Sequence, residues 1–186
     1  MATIENFISE IVKNNLKKMT QTDGLHYLSF GIMSSMVEFF GACFDREDFF
    51  KSGLSRERFR KAINELDAFS EYRKYNEKDC PHDLYKNLRC GMAHIGRPGK
   101  GISFTHIHDD VNGNEHLTIK DLDDNTRRLI LVCERLFQDL EKASDELLGK
   151  MKNGKLPRTH SETFMNPNLK IIDLQSQTTY TASASA

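Results

Sequence analysis

Apolar residues recur at three- and four-residue spacing through much of this chain, a period that predicts helices. Ile4, Phe7, Ile8, Ile11, Val12 and Leu16 form one such stripe, with Lys13, Lys17 and Lys18 mostly off it, so a first helix is expected over Ile4 to Met19. The segment Gly24 to Phe44 is apolar nearly all round and predicts a central, buried helix, with Thr22 or Asp23 available to cap it. Ser55 opens a third helix that reaches about Leu66 and turns Phe59, Ile63 and Leu66 inward. Glu71 to Asp79 is strongly polar and reads as exposed. Pro81 suits the first turn of a new helix, where it has no N–H to lose, and Leu84, Tyr85, Leu88 and Met92 supply that helix with its apolar side.

Gly96, Pro98, Gly99 and Gly101 end the helical period and mark a loop. Beyond them the period changes to two. Ile102 to Ile107 alternates, Leu117-Thr118-Ile119 alternates again, and Asn112-Gly113 between them is a hairpin signal. Asp123-Asp124 favours a helix start, and Leu129, Ile130, Cys133, Leu136, Phe137, Leu140, Leu147 and Leu148 then fall on one face of a last helix running to about Met151. After Asn153-Gly154 the chain is polar and poor in pattern, apart from Leu169 to Leu174. The expected fold is all-α: an antiparallel helical bundle with a small β-hairpin, about residues 102–120, inserted before the last core helix. Residues 1–152 would form the domain and residues 153–186 a polar C-terminal tail.

The 186 residues suffice for one domain with a proper core. Their 26 basic and 27 acidic side chains leave a net charge of -1, so any nucleic-acid site must be a local patch rather than a global field. The four cysteines, Cys43, Cys80, Cys90 and Cys133, form no CxxC pair, and the opening Met-Ala-Thr-Ile-Glu has no basic region leading into an apolar run. Reduced thiols in a cytoplasmic protein is the expectation. Gly24 to Phe44 is long enough to span a bilayer, but Glu38 within it and the lack of flanking basic clusters argue for a core helix. No membrane association is expected.

The candidate chemistry lies in Leu88-Arg89-Cys90-Gly91-Met92-Ala93-His94, which leads into the basic loop Gly96-Arg97-Pro98-Gly99-Lys100-Gly101. Arginine grips phosphate with a planar fork of donors, and histidine exchanges a proton near neutral pH. Five residues turn an α-helix by about 500°, so Arg89 and His94 meet only if the last turn, weakened by Gly91, loosens. Arg97 and Lys100 are candidate substrate-binding cations in a loop whose backbone amides can cup a phosphate, although the spacing is not that of a P-loop. Glu38, a carboxylate amid Met36, Val37, Phe39 and Phe40, needs a partner if buried, and Arg89 or His94 can supply it.

The motif Arg89-x4-His94, on a helix that follows a long apolar helix with a lone carboxylate and precedes a closing amphipathic one, resembles the signature of the HEPN superfamily of helical domains. The likeness covers the helical core, roughly residues 3–151. Many HEPN proteins are metal-independent endoribonucleases, often dimeric, and others bind nucleotides or partners without cutting. The resemblance implies that Arg89 holds the scissile phosphate and His94 acts as general acid or base while the RNA 2′-hydroxyl attacks, in a homodimer of defence or toxin type, with an antitoxin as a further partner. Cys90 departs from the polar residue that often follows the arginine. The alternative is a non-catalytic HEPN-like module that dimerises or docks a partner.

Other patterns carry less. His106-Ile107-His108-Asp109-Asp110 sets two imidazoles on one strand face without a third metal ligand at suitable distance. Cys90 lies near two cations that can activate a thiolate, yet no cysteine-hydrolase signature surrounds it. No metal and no cofactor are expected.

Overall fold

The computed structural model describes residues 3–109, 115–122 and 126–163. The first helix, α1, is continuous through Ile4–Phe7, a π-wound middle Ile8–Asn15 and Leu16–Thr20. Of the stripe read from the sequence it buries Ile4, Ile8, Val12 and Leu16, with Phe7 and Ile11 half-buried. Helix α2 (His26–Ala42) occupies the centre and packs against α1, α3 (Ser55–Glu65), α5 (Tyr85–Ile95) and α6 (Cys133–Lys152). Neither Thr22 nor Asp23 caps α2, whose N-cap is Leu25, and α3 starts after Leu54 rather than on a Ser55 cap. The Ser55 hydroxyl is used elsewhere.

The all-α expectation is overturned. The protein is mixed α/β, with a three-stranded sheet formed by β1 (Ile102–Thr105), β2 (Ile119–Asp121) and β3 (Arg127–Val132) in the order β1-β3-β2. The expected hairpin over residues 102–120 does not form, because β1 and β2 never pair with each other. Both flank β3: Ile102 stands opposite Leu129 in a parallel register, and Ile119 opposite the same Leu129 in an antiparallel one. The Asn112-Gly113 turn signal lies outside the described residues. The misreading began at Leu129 and Ile130, assigned to the last helix because they share its periodic stripe. Leu129-Ile130-Leu131-Val132 is a continuous apolar run, each member buried. Such a run suits a central strand covered on both faces, and β-branched Ile130 and Val132 favour it. The helix begins only at Cys133.

A second departure lies at Asp67–Tyr75, α4, which winds as a 3-10 helix with Phe69, Tyr72 and Tyr75 buried in a stretch dominated by charged residues. Tyr72 anchors a directed hydrogen-bond chain. The Val132 N–H donates to His116 Nδ1 at 3.0 Å, so the neutral ring carries its proton on Nε2, which faces the Tyr72 hydroxyl at 2.7 Å; that hydroxyl donates to Asp139 Oδ2 at 3.0 Å. The chain ties α4, the approach to β2, β3 and α6 together. Past α6 the backbone returns to α1, where Ile4 N–H bonds Glu162 O and Glu5 N–H bonds His160 O, each at 3.0 Å. Buried Arg158 there donates to Ala42 O at 3.0 Å and lies 4.1 Å over the Phe49 ring. Among the described residues no helix is long and apolar enough to cross a membrane. Leu169 to Leu174 lies outside them.

Burial holds three acidic groups neutral. It pushes the Cys133 thiol up to about 12, with Glu134 adding to the shift, and raises Cys43 and Tyr72 further above their ordinary values, Asp139 adding to Tyr72. Each is a group whose folded pKa exceeds its unfolded one, so its contribution is complete below the unfolded value and lost as pH rises. Stability should therefore be level up to about pH 7.5, above which free thiols begin to ionise in the unfolded chain, and fall steadily toward pH 12. Thermal melts across this range check it; a midpoint that does not move between pH 9 and 11 contradicts it.

Candidate functional site

Helix α5 carries both members of the Arg89/His94 pair and presents them in different directions. The helix is π-wound, its i→i+5 pattern continuing into the Gly96 N–H bond to Gly91 O, and Gly96 then closes it at φ +70°. A wider winding brings residues five apart nearer to one face than an α-helix does. Even so, Arg89 leans toward α2, whereas His94 is exposed. Arg89 Nε donates to Glu38 Oε2 at 2.5 Å, and the Ser55 hydroxyl donates to the same oxygen at 2.7 Å. The two charged side chains are only 19% and 21% exposed. Of the two partners the sequence offered Glu38, the fold selects Arg89.

This pair belongs to a polar island between α2, α3 and α5. Tyr85 lies beside Ser55 and Cys90; burial raises its phenol above the ordinary value, the Ser55 hydrogen bond opposes the shift and Cys90 adds to it. Arg56 stacks 4.5 Å over the Tyr85 ring and donates to the buried Asp83 carboxylate at 2.9 Å.

Beside α5 is a cleft of about 780 Å³. Lys86, His94, Arg97, Lys100 and Arg128 line it, with Asp79 as its one carboxylate among the described residues. Arg89 and Glu38 are not among the lining residues. The structure thus unites His94 with the predicted Arg97 and Lys100 and separates them from Arg89 and Glu38. Lys86, Arg97 and Lys100 are exposed and make no ion pair among the described residues, although most other cations of the chain do. Arg128 donates to Thr126 Oγ1 at 2.9 Å. Lys86 was missed by the sequence reading but had a signal there: Lys86, Cys90 and His94 are spaced four apart, which puts them on one helix face. Arg128 had none, since β3 reaches the cleft only through the sheet.

The glycine-rich loop is rigidly seated on α5. Buried Asn87 organises it: its Nδ2 donates to Pro81 O at 3.2 Å and Asp83 O at 2.9 Å, its Oδ1 accepts from Gly101 N–H at 3.2 Å, and its carbonyl accepts from Gly99 N–H at 2.8 Å. His82 Nδ1 donates to Gly101 O at 2.7 Å. The approach is too close for side chains. A Cβ on Gly91 would sit 2.5 Å from Arg97 O, and one on Gly101 2.0 Å from Pro81 O.

His106 and His108 form no metal centre with their neighbours. Their rings meet edge-on at 5.9 Å, His106 Nε2 lies 3.0 Å from Asp109, and no group of three or more His, Cys, Asp or Glu among the described residues is arranged to hold a metal ion. Of the thiols, Cys43 and Cys133 are buried and Cys80 and Cys90 half-buried, all of them free.

Comparison with protein-family models, curated proteins and solved structures finds no match for this chain.

Two outcomes follow from this geometry. Glu38→Ala and Arg89→Ala should each destabilise the fold by about 1–3 kcal/mol, by leaving a partly buried charge unpaired. The double variant should lose less than the sum, with a coupling of about 0.5–3 kcal/mol in denaturant unfolding; strict additivity contradicts a working pair. Gly91→Ala should lower the melting temperature by displacing the loop. Gly149→Ala, in the interior of α6 with open space around it, should leave stability level or raise it by up to about 1 kcal/mol.

Proposed function

We propose that this protein binds the phosphates of RNA or of a nucleotide, the ligand class that the resemblance of Arg89-x4-His94 to the HEPN signature implies, in the cleft beside His94. The observation that carries the reading is the convergence, on one cleft, of Lys86, Arg97 and Lys100, three cations that among the described residues have no ion-pair partner and share the cleft with a single carboxylate. In a chain of net charge -1, such a concentration supplies the local field that a polyanion needs. Backbone phosphates are held by fixed cations without sequence preference.

His94 is the group for proton transfer. In the ribonuclease form of this reading it takes or returns the proton of the RNA 2′-hydroxyl, and the developing charge on the phosphate falls to Arg97 and Lys100, since Arg89 is engaged by Glu38. One imidazole serves only one of the two proton transfers, so cleavage calls for a second copy of the chain to supply another. The Arg89–Glu38 pair favours the second reading, a non-catalytic module in which the motif arginine holds α5 to α2 and the cleft binds without cutting.

A labelled single-stranded RNA, titrated in EDTA, tests both. Wild type should bind, and a Lys86→Ala/Arg97→Ala/Lys100→Ala triple variant, altered only at exposed positions, should bind far more weakly. Its log K against log salt should be shallower by about 2, from about 0.7 per phosphate contact. Identical affinity in the two proteins overturns the phosphate cleft. Cleavage by wild type that disappears in His94→Ala assigns the ribonuclease form, and RNA bound but left intact assigns the non-catalytic one.

A further inference from the structure

A smaller pocket, of about 260 Å³, lies between the start of α2 and the end of β1, and its walls are rings. His26, Tyr27 and Phe30 come from α2; Phe104 comes from β1 and His106 directly follows it. Phe104 stacks on Phe30 with centroids 3.9 Å apart and planes 6° apart, and Tyr27 meets Phe104 edge-on at 5.8 Å. His26 and His106 stack at 4.8 Å. These walls are braced from behind. The Glu134 carboxylate accepts the Ile107 N–H at 3.0 Å and lies 3.5 Å from His26 Nε2, and Asp109 lies 3.0 Å from His106 Nε2. Tyr27 nevertheless remains 43% exposed, so the core does not consume its ring.

The pocket is joined to the basic cleft in two ways. The Tyr27 hydroxyl donates to Gly96 O at 2.8 Å, at the start of the loop that carries Arg97 and Lys100. Ile102, which lines the cleft, and Phe104, which lines the pocket, are two residues apart on β1. They lie about 7 Å apart along the strand, so the cleft and the pocket share one strand.

We propose that this aromatic pocket takes the nucleobase of the RNA or nucleotide whose phosphate occupies the cleft; the assignment rests on the phosphate reading above. Every base offers a π-face, so stacking on protein rings binds bases with little sequence preference. The volume is somewhat below the ~300–1,000 Å³ of sites for drug-sized ligands, which suits one planar ring system rather than a whole nucleotide. Phosphate and base then divide between two sites linked by Tyr27.

Calorimetric titration with adenosine 5′-monophosphate and, separately, with ribose 5-phosphate isolates the contribution of the base. Wild type should bind the nucleotide about tenfold more tightly than the sugar phosphate, the lower part of the range for one stacked base. Tyr27→Phe loses the hydrogen bond to Gly96 but keeps the ring, and should keep that ratio. Tyr27→Leu loses both and should bring the ratio close to one. Equal binding of the two ligands by wild type, or a ratio that Tyr27→Leu does not move, overturns the base pocket while the phosphate cleft stands. Failure of both ligands to bind wild type overturns the phosphate reading, and the pocket assignment with it.

Discussion

Helix α2 has no polar face, and the molecule is arranged around that fact. A helix that is apolar nearly all round must be largely covered, and α1, α3, α5, α6 and the Phe104 ring of β1 share the task, leaving Tyr27 and Leu28 exposed in its first turn. The same constraint isolates Glu38. Its carboxylate lies where water reaches only in part, and such a group needs donors aimed at it. The Ser55 hydroxyl and the Arg89 guanidinium meet that need from α3 and α5. Arg89 is therefore fixed by a demand of the core, and its absence from the cleft lining is a consequence of covering α2.

The cleft arises from a different constraint, the contact of the glycine-rich loop with α5. With no Cβ at Gly91, Gly99 or Gly101, two backbones approach closely enough for Asn87 to bridge them. A loop seated in this way turns its long side chains outward, because the space beneath it is filled by backbone. Arg97 and Lys100 thus join Lys86 and His94 around one depression. A rigid loop places charge at little conformational cost on binding, the condition under which a few cations suffice to hold a phosphate.

Legibility followed the range of the interactions involved. The stripe of α1, the closure of α5 at Gly96 and the amphipathic face of α6 are local periodicities, and they survive in the fold. The alternation of β1 and β2 was equally visible, but a strand pattern does not name its partner. Proximity along the chain suggested a hairpin, whereas the apolar run Leu129 to Val132 offered a better buried surface to both strands. That run fits a helix stripe and a central strand alike, and only what packs on its two faces separates them. The buried tyrosines of α4 were hidden for a similar reason: charged neighbours dominate the local pattern, while Tyr72 is anchored by Asp139 and His116 from distant segments.

The amino-acid order alone determined where most of the helices form, which helix must be central, and that Arg89, His94, Arg97 and Lys100 come close together along the chain. Each depends on interactions within a few turns. It did not determine which of these side chains would share a surface. That choice depended on Glu38, about fifty residues earlier, claiming Arg89, and on β3 bringing Arg128 to the cleft. A side chain turns toward whichever partner most reduces the cost of its burial, and that partner exists only once the chain has packed.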